Sequence, residues 1–194
     1  MNKFYLTICF CLSFLLLFSC ERSDLTSDVE SAYDFTKIIN SDSSSNLCTT
    51  IDANMWSSKS SSEMDWDKAV AYCDNLTACG YSDWHLPTIS ELRTLIQNCS
   101  SNEMPDGSCG VIDTGDPSTS CLSSDCWTSE TCSVCKNDST GKYSKLGDTG
   151  YFWSSSVLSD YSFNAWYVDF NCGGYVDHGN YIHQISNCYV RCVR

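Results

Sequence analysis

Two segments of the chain carry apolar residues at helical spacing, and the first spans about residues 65–77. Five apolar side chains recur there every three or four positions: Trp66, Ala69, Val70, Cys73 and Leu76. Ser62 or Asp65 can cap the first turn, because a side-chain oxygen there accepts a hydrogen bond from an otherwise unpaired backbone N–H. The pattern predicts an amphipathic helix that buries this face.

The second segment begins just after Pro87 with a stronger start signal. Thr88 and Glu91 stand three residues apart, which is the spacing of a capping box. Four apolar residues then follow on one face: Ile89, Leu92, Leu95 and Ile96. We therefore predict a second helix that begins at Ile89 and ends near Asn98.

The last quarter of the chain has the composition and turn signals of strands. It predicts strands over residues 151–157, 165–170 and 189–194, with a turn at Asn171–Gly174. Residues 99–150 contain six cysteines and many small polar residues without a sustained period, which predicts a disulfide-stapled loop region. The predicted order is helix, helix, long loop and strands.

The first residues of the chain have the pattern of a secretory signal. Lys3 supplies a positive start, the apolar run Phe4–Phe18 follows, and the small Ser19 precedes Cys20. The apolar run is shorter than the roughly 20 residues that a membrane-spanning helix needs. Residues 1–19 are therefore predicted to be a signal peptide.

The end of that segment, Leu17-Phe18-Ser19-Cys20, resembles the bacterial lipobox and predicts lipidation of Cys20, with palmitate among the acyl groups. The acyl chains would anchor the protein in the cell envelope, at the outer membrane or the cell surface, without a spanning helix. An ordinary signal peptide cut nearby is the alternative, and it leaves Cys20 as a thiol. Residues 20–47, rich in Ser, Asp and Asn, are predicted to tether a domain at 48–194.

Net charge narrows the class of ligand. The 194 residues include 24 acidic and 11 basic side chains, a formal charge of −13, and loss of Lys3 with the signal peptide makes it −14. A surface of this charge repels polyanions, so nucleic acid, sulfated glycans and anionic lipid headgroups are not expected as ligands. Neutral or cationic partners stay open, and a neutral glycan or a protein is the expected kind of ligand.

Cysteine use agrees with export. Of the 15 cysteines, Cys9 and Cys11 lie in the predicted signal peptide and Cys20 is the lipidation site, so 15 − 3 leaves 12. Twelve is even, as complete disulfide pairing requires, and such a number suits an oxidising compartment.

Several motifs resemble the Lcl C-terminal domain family, named after the Legionella collagen-like adhesin and known as a bacterial domain of unknown function. They are, in order, residues 66–73 (WDKAVAYC), 83–92 (DWHLPTISEL), 152–155 (FWSS), 165–170 (AWYVDF) and 189–194 (YVRCVR). The resemblance covers about residues 50–194, and the motifs follow the family's order and spacing.

The resemblance implies an α+β fold of the C-type-lectin-like and formylglycine-generating-enzyme group. In that fold two helices pack on small, irregular, mostly antiparallel sheets, and the two ends of the domain lie close together. The long disulfide-stapled loop region predicted for residues 99–150 is compatible with such a fold. The resemblance also implies a disulfide between Cys73 and Cys192 and a second one between Cys172 and Cys188. The sequence does not choose the pairing of the other eight cysteines.

Two features depart from the family pattern. His85 stands where the family usually has Arg, so the guanidinium that would bind a carboxylate or backbone there is missing. The better-known adhesin binds sulfated polysaccharide, which needs a basic groove, and this acidic chain does not supply one. That ligand is therefore not carried over.

Clustered cysteines raise zinc and redox alternatives. Cys121, Cys126, Cys132 and Cys135 have a spacing that suits a tetrahedral zinc ion, and the last two form a CxxC pair. Disulfides are the favoured interpretation, because an exported chain with an even cysteine count usually oxidises them.

Histidine and carboxylate groups raise a further alternative. His178 and His183, with Asp169 and Asp177 nearby in sequence, could form a metal or acid–base cluster, although a solvated loop is favoured. The turn at residues 113–116 could help ligate calcium, but the chain lacks the Glu-Pro-Asn and Trp-Asn-Asp motifs of calcium-dependent sugar-binding lectins. An Asp/Gly turn is favoured there.

These features predict a non-enzymatic envelope lipoprotein whose lectin-like domain binds an extracellular ligand or supports adhesion, with no cofactor or bound metal. The binding surface is expected in the loop at 100–150 and the turn at 171–187, and four tryptophans are expected to be buried: Trp66, Trp84, Trp153 and Trp166. The candidate ligand-binding residues are Asp113, Asp116, Tyr175, Asp177, His178 and Tyr181. The alternatives are a self-assembling, homo-oligomeric structural module of the envelope and, less favoured, a metal-dependent enzyme.

Overall fold

Two short helices and two antiparallel sheets make up the regular structure of the residues that the computed structural model describes, which are 47–132, 135–180 and 187–194. The elements are, in chain order, β1 (Thr49–Ile51), β2 (Asn54–Trp56), α1 (Trp66–Asp74), α2 (Ile89–Arg93), a 3₁₀ turn (Ser124–Cys126), β3 (Tyr151–Val157), β4 (Asn164–Asp169) and β5 (Tyr175–Asn180). One sheet is the β1–β2 hairpin, and the other has the order β3-β4-β5. The predicted α+β class is confirmed.

Both helices begin where the sequence predicts. The carboxylate of Asp65 accepts a hydrogen bond from the backbone N–H of Lys68 at 2.9 Å, which caps α1. The capping box of α2 is complete, because Thr88 Oγ1 accepts from the N–H of Glu91 and the Glu91 carboxylate accepts from the N–H of Thr88.

Both helices end earlier than predicted, at Asp74 instead of residue 77 and at Arg93 instead of Asn98. After α2 the backbone turns toward the long loop, and Ile96 forms a β-bridge with Ser144 there. This tertiary pairing overrides the apolar period that continues through Ile96, because a residue that bridges to another segment cannot extend the helix.

The three-stranded sheet lies between the two helices. Successive side chains of a strand point to opposite faces, so each strand can supply apolar residues to both faces of the sheet. One face carries Phe152 and Val168 and packs against α2, while the other carries Trp153 and Ala165 and packs against α1. The hydrophobic clusters on the two faces of the sheet are largely closed to solvent, and a chain with 42% apolar residues can form such a core. The strands predicted at 151–157 and 165–170 are thus present as β3 and β4, and they position everything attached to their ends.

Three of the four tryptophans expected in the core are buried: Trp84, Trp153 and Trp166. Trp66 is only partly buried, and it packs at the edge of the cluster formed with α1. Its indole N–H donates to the carbonyl of Ser154 at 2.7 Å, so the ring ties the start of α1 to β3.

The segment 189–194 was predicted to be a strand, and the structure corrects this. Its backbone pairs with several different segments in turn, so that no continuous ladder forms. Arg194 exchanges two hydrogen bonds with Met55, and Val193 exchanges two with His85. The two ends of the domain therefore lie together, as the resemblance implies.

The segment Tyr175–Asn180 was expected to belong to a turn and a solvated loop, and this expectation is wrong. It forms β5 and pairs with β4 along its whole length. Its polar residues Asp177 and His178, with Gly179 beside them, hid the strand period. Pairing with β4 stabilises the strand conformation that the composition of this segment does not favour by itself.

Five disulfides link ten of the cysteines in the described residues: Cys48–Cys79, Cys73–Cys192, Cys99–Cys135, Cys109–Cys132 and Cys121–Cys126. The bond between Cys73 and Cys192 confirms the first implied bridge. The six cysteines of the long loop pair only with each other, which confirms the disulfide-stapled region. Cys132 and Cys135 do not pair with one another, so the CxxC spacing is incidental.

The second implied bridge is absent and has to be corrected. Cys172 and Cys188 are free thiols. Cys172 lies in the turn after β4 beside Asp169, whereas Cys188 is held by two backbone hydrogen bonds to Met64. The two cysteines are thus fixed by different parts of the chain.

No helix of the described ranges is long and apolar enough to cross a membrane. The predicted signal peptide, Cys20 and nearly all of the predicted tether lie outside those ranges.

Candidate functional site

A pocket of about 380 Å³ opens on the surface where the long loop meets the connection between β3 and β4. We call residues 112–126 the pocket loop and residues 158–163 the β3–β4 turn. The lining residues come from both segments: Asp113, Gly115, Pro117, Ser120, Leu122 and Ser159. The loop expected to carry the binding surface therefore does line a concave, partly polar site.

The pocket loop is closed on itself by two local constraints. Ile112 and Cys121 exchange backbone hydrogen bonds of 3.0 and 2.7 Å, and Cys121 is joined to Cys126. Ser118, Thr119 and Ser120 turn back onto Asp116, whose backbone and side-chain oxygens accept their N–H groups. Such a loop is ordered before a ligand arrives, which lowers the entropic cost of binding.

The pocket loop is also tied to the sheet. The backbone N–H of Ser159 donates to the carbonyl of Leu122 at 3.0 Å, which joins the loop to the β3–β4 turn. The indole N–H of Trp127, just after the loop, donates to the carbonyl of Val176 in β5 at 2.7 Å. Rigid elements thus fix a segment that has little regular structure of its own.

Asp113 is the lining residue with the most structural ties. One carboxylate oxygen accepts from Ser156 Oγ at 2.7 Å, and Ser156 Oγ accepts from the N–H of Ile89, the first residue of α2. The other oxygen accepts from the N–H of Gly115, and the N–H of Asp113 donates to Ser90 Oγ. Asp113 therefore holds the loop on α2 and β3, and its predicted role in binding is combined with a structural one.

Two of the exposed carboxylates beside the pocket, Asp116 and Asp160, remain ionised at neutral pH. The backbone N–H and hydroxyl of Ser118 donate to Asp116 and lower the pKa of that carboxyl. The hydroxyl and backbone N–H of Ser124 donate to Asp160 and lower its pKa too. The tie between Ser124 and Asp160 also joins the pocket loop to the β3–β4 turn.

The exposed charged side chains of the pocket loop and the β3–β4 turn are acidic, whereas Arg93 of α2 is a buried cation that donates to the carbonyl of Val111, directly before the pocket loop. Residues 94–135 contain six acidic side chains and residues 146–190 contain four, and neither range contains Lys or Arg. Five basic side chains of the described residues form ion pairs elsewhere: Lys68, Lys142, Lys145, Arg191 and Arg194. The exposed surface of these two ranges therefore carries net negative charge.

The predicted site residues are not brought together. Asp113 and Asp116 belong to the pocket loop, whereas Tyr175 and Asp177 share the opposite face of β5 from His178. Asp177 accepts a hydrogen bond from the hydroxyl of Tyr167 at 3.3 Å, and Tyr175 packs edge-on against Trp127. Their contacts on that face are with neighbouring strands and the loop.

His178 has a structural position. Its ring meets the indole of Trp166 edge-on and its Nδ1 lies 3.1 Å from the side-chain amide of Asn164. Tyr181 and His183 lie outside the described residues. The described residues contain no group of three or more His, Cys, Asp or Glu side chains that could hold a metal ion.

Two exposed aromatic residues beside the pocket were missed by sequence reasoning. Tyr161 and Phe163 lie in the β3–β4 turn with 65% and 56% of their surfaces exposed. Both stand in the short connection between two predicted strands, where an aromatic pair has no strand face to bury it. Their position in the sequence was therefore a usable signal.

One family model matches the chain, that of the Lcl C-terminal domain, over residues 48–194. No curated protein and no solved structure matches the chain.

Proposed function

The chain belongs to the Lcl C-terminal domain family, and we propose that it is a non-enzymatic lipoprotein of the bacterial cell envelope whose domain binds an extracellular ligand or supports adhesion. The observation that carries the proposal is the pocket between the disulfide-closed pocket loop and the β3–β4 turn. A concave site on a preordered loop is what recognition of a partner requires.

The architecture supports a C-type-lectin-like assignment for the domain. Two helices flank an antiparallel sheet, the domain's ends lie together, and Cys73 of α1 is bonded to Cys192 of the final segment. In such a domain the regular elements form the scaffold and the irregular loops carry recognition. The position of the pocket loop agrees with that division.

The sequence supports attachment to the envelope. The pattern of residues 1–20 is that of a lipoprotein signal, and lipidation of Cys20 would hold the domain at the outer membrane or cell surface. The five disulfides support a position outside the cytoplasm, because reducing compartments do not maintain such a set.

The charge decides which ligands are proposed. Residues 48–194 contain 18 acidic and 8 basic side chains, a formal charge of 8 − 18 = −10. Sulfated polysaccharide and nucleic acid are therefore poor ligands, whereas a neutral glycan or a protein meets no repulsion.

The test is a binding screen of the full-length protein in detergent micelles against neutral and acidic glycans, peptidoglycan fragments and host proteins. Ser159→Trp should abolish binding, because the exposed Ser159 lines the pocket and a large ring there fills it. Ser129→Trp is the matched control, since Ser129 is exposed on the long loop and does not line the pocket. No binding to any class at high micromolar concentration would overturn the proposal.

A further inference from the structure

The β3–β4 turn, whose Ser159 lines the pocket, presents two large exposed aromatic side chains. Tyr161 and Phe163 expose more than half of their surfaces, while Leu158 at the base of the same turn is buried and anchors it. The backbone of Leu158 and Asn164 closes the turn with a 2.8 Å hydrogen bond, and Ser159 within it lines the pocket. Exposed rings on a fixed turn are typical of contact surfaces, because they bury large areas at little entropic cost.

Acidic side chains accompany these rings. Asp160 lies in the same turn, and Asp116 stands between the lining residues Gly115 and Pro117. Asp125 is exposed and follows Ser124, whose backbone N–H and hydroxyl donate hydrogen bonds to the carboxylate of Asp160. The pocket loop and the β3–β4 turn together therefore offer apolar area and negative charge.

We propose that this combined surface docks a cationic, partly apolar segment of another polypeptide, which inserts between the aromatic turn and the pocket loop. The inference rests on the proposed function and names the class of ligand for the same pocket. Apolar side chains of the segment cover Tyr161 and Phe163, and its Lys or Arg groups face Asp116, Asp125 and Asp160. Charge complementarity of this kind steers association, and the buried rings supply affinity.

The surface disfavours the other occupants. A second copy of the chain carries the same acids, so that two such surfaces meeting face to face repel each other. A neutral sugar could stack on the rings but leaves the carboxylates without cationic partners. A nucleic acid adds negative charge to a surface that already has it.

The experiment titrates the full-length protein in detergent micelles with a lysine–tryptophan repeat peptide, and with a glutamine–tryptophan peptide of the same length. The cationic peptide should bind and the neutral peptide should bind at least about tenfold more weakly. Affinity for the cationic peptide should fall as salt rises, since charges more than about 8 Å apart are screened at physiological ionic strength.

Variants locate the binding. Tyr161→Ser combined with Phe163→Ser should weaken the cationic peptide about tenfold, and Asp116→Asn combined with Asp125→Asn should reduce affinity mainly at low salt. Tyr72→Ser combined with Asp74→Asn is the matched control on α1, where an exposed ring and a nearby acid lie outside the pocket, and it should bind normally. Circular dichroism confirms that each variant is folded.

The outcomes separate this inference from the proposed function. If a neutral glycan binds in a manner that Ser159→Trp abolishes while the cationic peptide does not bind, the proposed function stands and this inference is wrong. Peptide binding that survives loss of Tyr161 and Phe163 also overturns it. Dimerisation that depends on those two residues, detected by sedimentation, would assign the surface to a second copy, and no binding of any kind would overturn both proposals.

Discussion

Arg93 shows how a single buried residue can organise an irregular loop. It is 1% exposed, and its guanidinium donates to the backbone carbonyls of Asn102, at 3.0 Å, and Val111. Burial lowers its pKa to about 10, so it stays charged at neutral pH, although no ion pair of the described residues includes it. Val111 directly precedes the pocket loop, so Arg93 helps to set where that loop begins.

Replacing Arg93 should therefore destabilise the domain without any loss of a salt bridge. Arg93→Met keeps much of the side-chain volume but leaves two buried carbonyls unpaired, and we expect a loss of about 3 kcal/mol in the free energy of unfolding. Denaturant unfolding followed by tryptophan fluorescence measures it. Arg93→Lys keeps the positive charge but has a single ammonium group to donate, so its free energy of unfolding should lie between those of the parent protein and Arg93→Met. If Arg93→Met is as stable as the parent protein, the two carbonyls do not depend on this residue.

The two free thiols should react slowly in the folded protein. Burial, together with the hydrogen bond to Asp169, raises the pKa of Cys172 to about 11, so about one molecule in a thousand carries the thiolate at pH 8. Burial also raises the pKa of Cys188. Iodoacetamide should label both slowly under native conditions and rapidly in denaturant, as peptide mass spectrometry can measure.

The same experiment checks the corrected cysteine pairing. Peptides joined through the five disulfides of the structure should stay unlabelled until a reductant is added. A peptide pair joined through Cys172 and Cys188 would contradict the structure and restore the bridge that the family resemblance implied.

At the scale of elements, the start of α2 couples a helix cap to a titratable pair. Glu91 completes the capping box with Thr88 and also lies 3.3 Å from Nε2 of His85. The hydrogen bond that His85 Nε2–H donates to the Glu91 carboxylate raises the pKa of His85, and the charges of Glu91, Asp74 and Asp83 act in the same direction. The side chain of His85 is about half exposed, so the pair lies at the surface.

This pair predicts a small pH dependence of stability. A histidine whose pKa is raised in the folded state stabilises the fold fully below its unfolded value of 6.5, and this contribution disappears as pH rises through the folded value. The free energy of unfolding should thus fall by less than about 1 kcal/mol over that window, because the pair is solvent-exposed.

His85→Gln should remove that part of the pH dependence, as thermal unfolding at a series of pH values would measure. Glu91→Gln should remove it as well, because an amide preserves the capping hydrogen bond but removes the charge that raises the pKa of His85. If both variants keep the full pH dependence of the parent protein, the coupling lies elsewhere.

Element starts were predictable from the sequence because caps are local. The side chains of Asp65 and Thr88 accept hydrogen bonds from N–H groups three residues away, so the local sequence is enough to predict where each helix begins. Helix ends and β5 were not predictable, because Ile96 and Tyr175–Asn180 are held by distant partners. The segment 187–194 has the composition of a strand. It does not form a continuous β-ladder because its residues pair with several separate segments.

At the scale of the whole molecule, the final segment closes the domain. Arg191 makes two hydrogen bonds of 2.7 and 2.8 Å to the buried carboxylate of Asp148, and Cys192 is bonded to Cys73 across 119 residues of sequence. These contacts join the end of the chain to α1 and to the end of the long loop. The scaffold that carries the pocket therefore depends on the last residues of the chain.

Removing the disulfide that closes the whole domain should cost more stability than removing a local one. Cys73→Ser with Cys192→Ser opens the longest covalent loop and should lower the free energy of unfolding by about 4 kcal/mol. Cys121→Ser with Cys126→Ser opens a loop of separation 5 and should cost about 2 kcal/mol. Denaturant titrations of both double variants make the comparison, and equal losses would contradict this account.

The candidate site could be predicted only in part. The disulfide-rich composition indicated the loop, and its acidic turn indicated Asp113 and Asp116. The pocket itself depends on where Ser159 and the β3–β4 turn meet that loop, and no short-range pattern encodes this meeting. Tyr175 and Asp177 were grouped with the loop residues by type, but β5 places them on a face with other contacts.

The central claim is that the pocket binds an extracellular ligand, and chemical-shift mapping of the isotope-labelled protein in detergent micelles tests it most directly. During titration with a ligand from the screen, or with the lysine–tryptophan peptide, we expect backbone amide shifts concentrated in residues 113–122 and 158–163. Ser159→Trp should remove those shifts, and Ser129→Trp should keep them. Shifts confined to other parts of the described chain, or unaffected by filling the pocket, would contradict the claim.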